Sequence, residues 1–162
     1  MTIYVFGYGS LINMQENKEL TQPKKTCPAL VHGLKRSLNV GGKNYLVFGV
    51  KNVKTSQCNG LLMKVNESEL AQLQEREKLY VMKPLDKARI EFPYKKNIHF
   101  NHADQIVCFY PQAKYVLTKK ELLTKQHLYM HSENYLRTCK TGAAVISEEF
   151  LKDFLAMTTT PV

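Results

Sequence analysis

The first 65 residues carry hydrophobic and β-branched side chains in short runs that glycine and asparagine interrupt. Runs of this length and composition are typical of β-strands. They predict strands over residues 2–6, 29–40, 45–50 and 58–65. The sequence Gly41-Gly42-Lys43-Asn44 separates the second run from the third and is typical of a hairpin turn. The first part of the chain therefore predicts a sheet that contains a hairpin.

The period of the pattern changes at Asn66, which Glu69 follows three positions later, as in a capping box. The helix that begins there carries Leu70, Leu73 and Glu77 on one face. Further strands are predicted over residues 80–85, 88–92 and 105–110. Pro84 limits the first of these three strands to a sheet edge or an irregular stretch.

The last part of the chain is predicted to be helical. Ser132 is expected to cap a helix that extends to about residue 144, and Ser147 to cap a short final helix. The inward faces of these helices are predicted to hold Tyr135, Leu136, Cys139, Ala143, Phe150, Leu151, Phe154 and Leu155. Strands first and helices last indicate the α+β class, with a small mixed β-barrel or sheet flanked by helices. No linker divides the chain, so we expect residues 1–162 to form a single domain.

The amino-acid composition indicates which class of protein this is. Hydrophobic residues make up 44% and charged residues 23% of the 162 positions, as in ordinary soluble domains. No apolar run is long enough to span a bilayer, and Lys18 is the first lysine, so neither a membrane span nor a signal peptide is expected. The four cysteines form no C-x-x-C pair and are expected to be reduced, partly buried thiols. These features favour a cytoplasmic protein, and no residue pattern predicts a metal site.

The formal net charge of +9 attracts anions, whether a nucleic acid, a membrane surface or a small acidic metabolite. The basic residues occur as scattered pairs, Lys24-Lys25, Lys95-Lys96 and Lys119-Lys120. No aromatic platform accompanies them, which disfavours nucleic-acid binding. Solvated surface lysines are the simpler interpretation, and a small anionic substrate is the alternative that matters for function.

A first candidate for chemistry is the segment Phe6-Gly7-Tyr8-Gly9-Ser10-Leu11-Ile12, which forms a turn at the end of the first predicted strand. Two glycines separated by one residue allow a sharp turn that leaves backbone N–H groups unpaired, and such groups can hold a carboxylate or phosphate oxygen. The turn matches neither G-x-G-x-x-G nor a P-loop. A side chain at Gly9 is predicted to be excluded, either because it would clash with the ligand or because the turn needs a left-handed backbone. The alternative interpretation is a tight turn without a ligand.

A second candidate is Glu77, a carboxylate on the same helix face as Leu70 and Leu73. A carboxylate placed there could take a proton from a substrate and return it, as a general base does. The alternative is a frayed helix end, where Glu77 reaches water or pairs with Lys78 or Lys83. Tyr8, Tyr80 and Tyr135 form a third group, since tyrosines suit a small polar ligand, although tyrosine is more often a core residue.

Four segments share a pattern with one known family: YVFGYGSLI at 4–12, GLKRSLNV at 33–40, LAQLQEREKLY at 70–80 and NYLRTCKTGA at 134–143. They resemble the γ-glutamylcyclotransferase family, in the single-domain cytoplasmic branch related to the ChaC-type enzymes. The resemblance covers nearly the whole chain and implies a small mixed β-barrel with helices packed outside. It implies an enzyme without cofactor or metal that cyclises the γ-glutamyl group of γ-glutamyl amino acids, amines or glutathione to 5-oxoproline.

The resemblance also implies roles for particular residues. Glu77 matches the family's catalytic glutamate, and Tyr8, Gly9, Ser10 and Leu11 match the loop that holds the γ-glutamyl group. Tyr80 and Tyr135 are the further candidates for substrate binding. Lys78 and Leu79 stand where the family usually has glycines, which bears on the choice of substrate. A catalytically silent member that binds an acidic metabolite or a protein partner is the alternative, and the intact Glu77 and turn argue against it.

Overall fold

The computed structural model describes residues 1–17 and 25–161 of the chain. Lys18 and Lys24, on which parts of the sequence argument rely, lie outside the described residues. The strands are β1 Ile3–Gly7, β2 Thr26–Gly41, β3 Leu46–Val65, β4 Tyr80–Pro84, β5 Ile90–Glu91, β6 Gln105–Pro111 and β7 Thr158–Thr159. The α-helices are α1 Glu67–Arg76, α2 Lys119–Thr124, α3 Gln126–Met130, α4 Glu133–Ile146 and α5 Glu148–Ala156.

The strands form one mixed sheet in the order β4-β6-β1-β3-β2-β5, and β7 also pairs with β2. β1 is parallel to β6 and β7 is parallel to β2, while the other pairs are antiparallel. This confirms the α+β class and the flanked sheet. The barrel form of the prediction is wrong, because the edge strands β4 and β5 do not pair with each other. β5 has only two residues, too few to extend the sheet into a closed ring.

β2 and β3 form the predicted hairpin, but β3 is longer than the sequence indicated. The strands predicted over residues 45–50 and 58–65 are one continuous element. Polar residues join the two predicted segments. The register between β2 and β3 slips in this stretch, since His32 pairs with Gln57 and Leu34 with Asn52. Gly33 lies at this bulge with φ of +76°, a left-handed conformation that glycine adopts without steric cost.

Of the predictions for helix caps and short strands, some are confirmed and others are wrong. The capping box of Asn66 and Glu69 and the cap of Ser147 on α5 are confirmed. The strand over residues 88–92 is largely wrong, because the Asp86 carboxylate accepts from the Ala88 N–H at 2.9 Å and starts a 3₁₀ turn there. Ser132 is the N-cap residue of α4, as predicted, but its hydroxyl donates to the Leu128 carbonyl and makes no capping hydrogen bond.

Helices α4 and α5 cover the sheet next to the end of β1. Phe154 of α5 packs edge-on against Phe48 of β3, with ring centroids 5.9 Å apart. Cys139, Ala143 and Phe150 are fully buried, as predicted, whereas Leu155 is 49% exposed. All four cysteines are free and buried, which confirms the expected thiols. No helix within residues 1–17 and 25–161 is long and apolar enough to cross a membrane.

Candidate active site

β1 ends in an irregular turn that leads into a single 3₁₀ turn, Ser10–Ile12. The carbonyls of Gly9 and Ser10 accept from the N–H groups of Ile12 and Asn13, each at 3.0 Å. The N–H groups of Gly9, Ser10 and Leu11 make no hydrogen bond with any residue that the structure describes. Three adjacent backbone donors at the start of a helical turn are a natural contact for an anionic oxygen.

Close packing excludes a side chain at Gly9. Its φ of −123° is not left-handed, so the left-handed explanation for this glycine is wrong. A Cβ placed on Gly9 would lie 2.7 Å from the hydroxyl oxygen of Tyr135 and 3.6 Å from the Cβ of Phe48. The side chain of Tyr135 therefore lies directly against the turn.

Glu77 directly follows the last residue of α1, and its N–H donates to the Leu73 carbonyl at 2.8 Å. Its side chain is only 16% exposed. Arg76 folds back over it, with Nε 3.8 Å from Oε1 of Glu77, and Nη2 of Arg76 donates to the Ser10 hydroxyl at 3.2 Å. One guanidinium thus lies between the carboxylate and the turn. Lys78 pairs instead with Glu75, at 3.3 Å.

The three candidate tyrosines surround this carboxylate and turn. The hydroxyl of Tyr8 donates to the Phe109 carbonyl at 2.5 Å, and that of Tyr80 to the Phe48 carbonyl at 2.6 Å. The Tyr135 hydroxyl accepts from the Phe48 N–H at 3.1 Å. Burial raises the pKa of all three hydroxyls, and the nearby charge of Glu77 adds to the increase. The hydroxyls are therefore neutral and bonded to backbone. Those of Tyr8 and Tyr80 donate their proton to a carbonyl, whereas that of Tyr135 accepts and lies against Gly9.

These groups line one narrow cleft of about 30 Å³. Its walls are Phe6, Tyr8, Gly9, Ser10, Leu11, Phe48, Glu77, Tyr80, Phe109 and Tyr135. The structure thus brings together all seven residues that the sequence singled out as site candidates; their roles stay predictions. Four of them also line a wider outer cavity of about 480 Å³. The other walls of that cavity are Glu16, Tyr45, Val47, Arg76, Lys78, Leu79 and Thr138.

Arg36 lies behind the turn and was missed by the sequence argument. It is fully buried, and its Nη1 donates to the carbonyls of Tyr8 at 3.2 Å and Asn59 at 2.6 Å. A signal for it exists in the strand alternation, because Leu34, Arg36 and Leu38 share the inward face of β2. An arginine in the inward phase of a strand is a charge placed where a core residue is expected.

Comparisons with known proteins bear on the fold. No family model matches the chain, and no curated protein matches it. A solved structure described as a γ-glutamyl cyclotransferase has a TM-score of 0.63 at 14% identity, covering 98% of this chain and 89% of its own. A yeast γ-glutamyl cyclotransferase specific to glutathione has 0.60 at 14% identity, covering 96% and 95%. YkqA from Bacillus subtilis has 0.66 at 17% identity, covering 98% of this chain and 56% of that one.

At these identities the likeness concerns the fold alone. The chain has the γ-glutamylcyclotransferase-like fold, as the sequence resemblance implied. Any inference about activity and substrate therefore depends on the geometry of the candidate site.

Proposed function

We propose that this protein is a γ-glutamylcyclotransferase, which converts the γ-glutamyl group of a small substrate to 5-oxoproline and releases the amine. One observation carries the proposal: a largely buried carboxylate, Glu77, lines the same cleft as Gly9, Ser10 and Leu11, whose N–H groups bind no residue that the structure describes. A base and a set of oxyanion donors are the two elements that acyl transfer to an amine requires. The fold of named cyclotransferases supports the same reaction class.

Glu77 is the proposed base. The α-amine of a γ-glutamyl compound is mostly an ammonium at neutral pH and cannot attack a carbonyl. The Glu77 carboxylate takes a proton from this amine and orients its lone pair toward the γ-carbonyl carbon. The amine nitrogen then bonds to that carbon, and a five-membered ring closes with the high effective molarity of an intramolecular reaction. The ring nitrogen releases its second proton to water as the tetrahedral intermediate forms. Glu77 returns the first proton to the leaving nitrogen as the original amide bond breaks, and the neutral amine that leaves takes up a proton from water.

The turn supplies the hydrogen-bond donors. As the ring closes, negative charge develops on the γ-carbonyl oxygen, and the N–H groups of Gly9, Ser10 and Leu11 can stabilise it. The same groups can instead hold the α-carboxylate of the substrate. Both arrangements use the turn as an anion-binding site, and they differ in whether the contact strengthens during the reaction.

The two cavities differ in size, so we assign different parts of the substrate to them. The inner cleft of about 30 Å³ has room for the reacting atoms only. The outer cavity of about 480 Å³ is large enough for the rest of a small metabolite, including the leaving group. Two cations, Arg76 and Lys78, and two carboxylates, Glu16 and Glu77, line this outer cavity. Arg76 is paired with Glu77, so Lys78 is the cation that suits a leaving group with a carboxylate.

The experiment is a product assay. The purified protein is incubated with a γ-glutamyl amino acid, a γ-glutamyl amine and glutathione, and 5-oxoproline is quantified by mass spectrometry. We expect 5-oxoproline from at least one compound, together with an equal amount of the released amine. No product from any of the three, with binding still measurable by calorimetry, would contradict the proposal and favour a silent binding protein.

A further inference from the structure

The guanidinium of Arg36 is buried without an acidic partner. All its contacts are with neutral acceptors: the carbonyls of Tyr8, Asn59 and Phe154, the side-chain oxygens of Asn59 and Thr158, and the Cys58 sulfur. Its centre lies 4.0 Å from the Phe154 ring centroid. No carboxylate of the described residues forms an ion pair with it.

A buried charge of this kind costs stability, because an apolar residue of similar volume would avoid the desolvation. The contact with the Phe154 carbonyl, in the last turn of α5, offsets part of the cost, since a cation is favoured at a helix C-terminus. Packing alone therefore does not explain a full positive charge at this position. The groups that this charge can affect are the atoms that accept hydrogen bonds from Arg36.

One acceptor belongs to the candidate site. Nη1 of Arg36 donates to the carbonyl oxygen of Tyr8 at 3.2 Å. That carbonyl and the N–H of Gly9 are opposite edges of one planar trans peptide group. A hydrogen bond from a cation to one edge polarises the group and makes the N–H on the other edge a stronger donor. Arg36 itself does not line the cleft, whereas Gly9 does.

We propose that Arg36 is a positioning residue that holds and polarises the Tyr8–Gly9 peptide, so that the Gly9 N–H binds the anionic oxygen of the substrate. This inference rests on the proposed function and adds a source of positive charge for the turn. The charge reaches the cleft through the backbone and not through a side chain in contact with substrate.

Two variants at this position separate charge from packing. Arg36→Lys keeps a side chain that can carry a positive charge, while Arg36→Gln is neutral and still a donor. We expect Arg36→Gln to lower kcat/KM by about 10- to 100-fold, the effect of losing a charge-assisted hydrogen bond, and Arg36→Lys to lower it less. A role in packing alone predicts that the neutral variant, which buries no charge, is as active as the lysine variant. That result would overturn the proposal.

The control is Arg89→Gln. Arg89 also donates to backbone carbonyls, those of His32 and Gly33, but lines neither the inner cleft nor the outer cavity. Its loss should leave kcat/KM within about twofold of the wild-type value, as for substitutions away from a site. The split between kcat and KM in Arg36→Gln then identifies the bound group. A fall in kcat indicates the developing oxyanion, and a rise in KM indicates the α-carboxylate.

A second measurement needs neither turnover nor a variant that folds. In the wild-type protein, the Tyr8 carbonyl carbon should resonate downfield of the position typical of a carbonyl bonded to water. The Gly9 amide nitrogen should resonate downfield of the position typical of an amide whose preceding carbonyl is bonded to water. Resonances at ordinary positions would overturn the proposal even in an active enzyme. Shifted resonances in a protein that forms no 5-oxoproline would support the action of Arg36 on the peptide and contradict the proposed function.

Discussion

Two arginines bind backbone carbonyls at two irregular points of the sheet. Arg36 donates to the Tyr8 carbonyl at 3.2 Å, where β1 ends. Arg89 donates to the carbonyls of His32 and Gly33, each at 2.9 Å, at the bulge of β2. Arg89 also donates to the side chain of Asn52 at 3.0 Å. The two guanidinium groups thus have the same chemistry at two places where the strand pattern breaks.

Their surroundings differ. Arg36 is fully buried, so its field is little screened, and the peptide that it binds has its other edge beside the cleft. Arg89 is partly exposed, so water shares its charge, and the peptides that it binds belong to a strand bulge. Burial and the position of the bound peptide, rather than the hydrogen bonds themselves, separate an arginine that acts on a site from one that stabilises a fold.

The largest effect in the buried region is expected from Glu77→Gln. The amide is nearly isosteric but cannot take a proton, so turnover should fall by about 10²- to 10⁴-fold, the range for removal of a general base, with the melting temperature nearly unchanged. Glu75→Gln is the matched control, since Glu75 is 79% exposed and paired with Lys78. Turnover in Glu77→Gln above about a tenth of the wild-type rate would contradict the role of this carboxylate.

The next effect is steric. Gly9→Ala or Gly9→Val places a carbon within 2.7 Å of the Tyr135 hydroxyl, so the turn or the tyrosine must move. We expect about 100-fold lower kcat/KM, as for misplacement of reacting groups by about 1 Å, and a lower melting temperature. Adding Tyr135→Phe to Gly9→Ala removes the clashing oxygen and should restore part of the activity. Strictly additive effects of the two substitutions in kinetics and melting would exclude this contact as the cause.

A smaller effect is expected at the outer cavity. Lys78→Met removes a cationic side chain of that cavity and should lower kcat/KM for γ-glutamyl amino acids, but not for γ-glutamyl amines with an uncharged leaving group. The expected change is about two- to fivefold, because exposed ion pairs contribute little. Lys83→Met is the control, since Lys83 does not line the cavity. An equal change with both substrate classes would remove Lys78 from substrate selection.

The smallest effect on activity is expected in the exposed region. Arg89→Gln should reduce the free energy of unfolding by about 1 kcal/mol, since it removes partly hydrated hydrogen bonds, and leave the kinetics unchanged. Chemical denaturation and steady-state kinetics measure the two quantities. A kinetic loss as large as that of Arg36→Gln would erase the distinction between the two arginines.

The sequence predicts features that depend on local spacing. The capping box at Asn66 and the hairpin turn follow from residues near one another. The pattern predicts a helix that includes Glu77, but the helix ends at Arg76 and Glu77 directly follows it. Contacts across the chain do not follow from local spacing. The pairing of Arg36 with Tyr8, the approach of Tyr135 to Gly9 and the open sheet edge depend on tertiary packing between segments that are distant in sequence.

The most direct test of the central claim compares a γ-glutamyl amino acid with its α-N-acetyl derivative, in water labelled with heavy oxygen. The account predicts unlabelled 5-oxoproline and free amino acid from the first compound, because the substrate's own amine attacks the carbonyl. It predicts no reaction of the acetylated compound, whose nitrogen cannot act as the nucleophile. Labelled glutamate from the first compound, or turnover of the acetylated one, would identify water as the nucleophile and contradict the account.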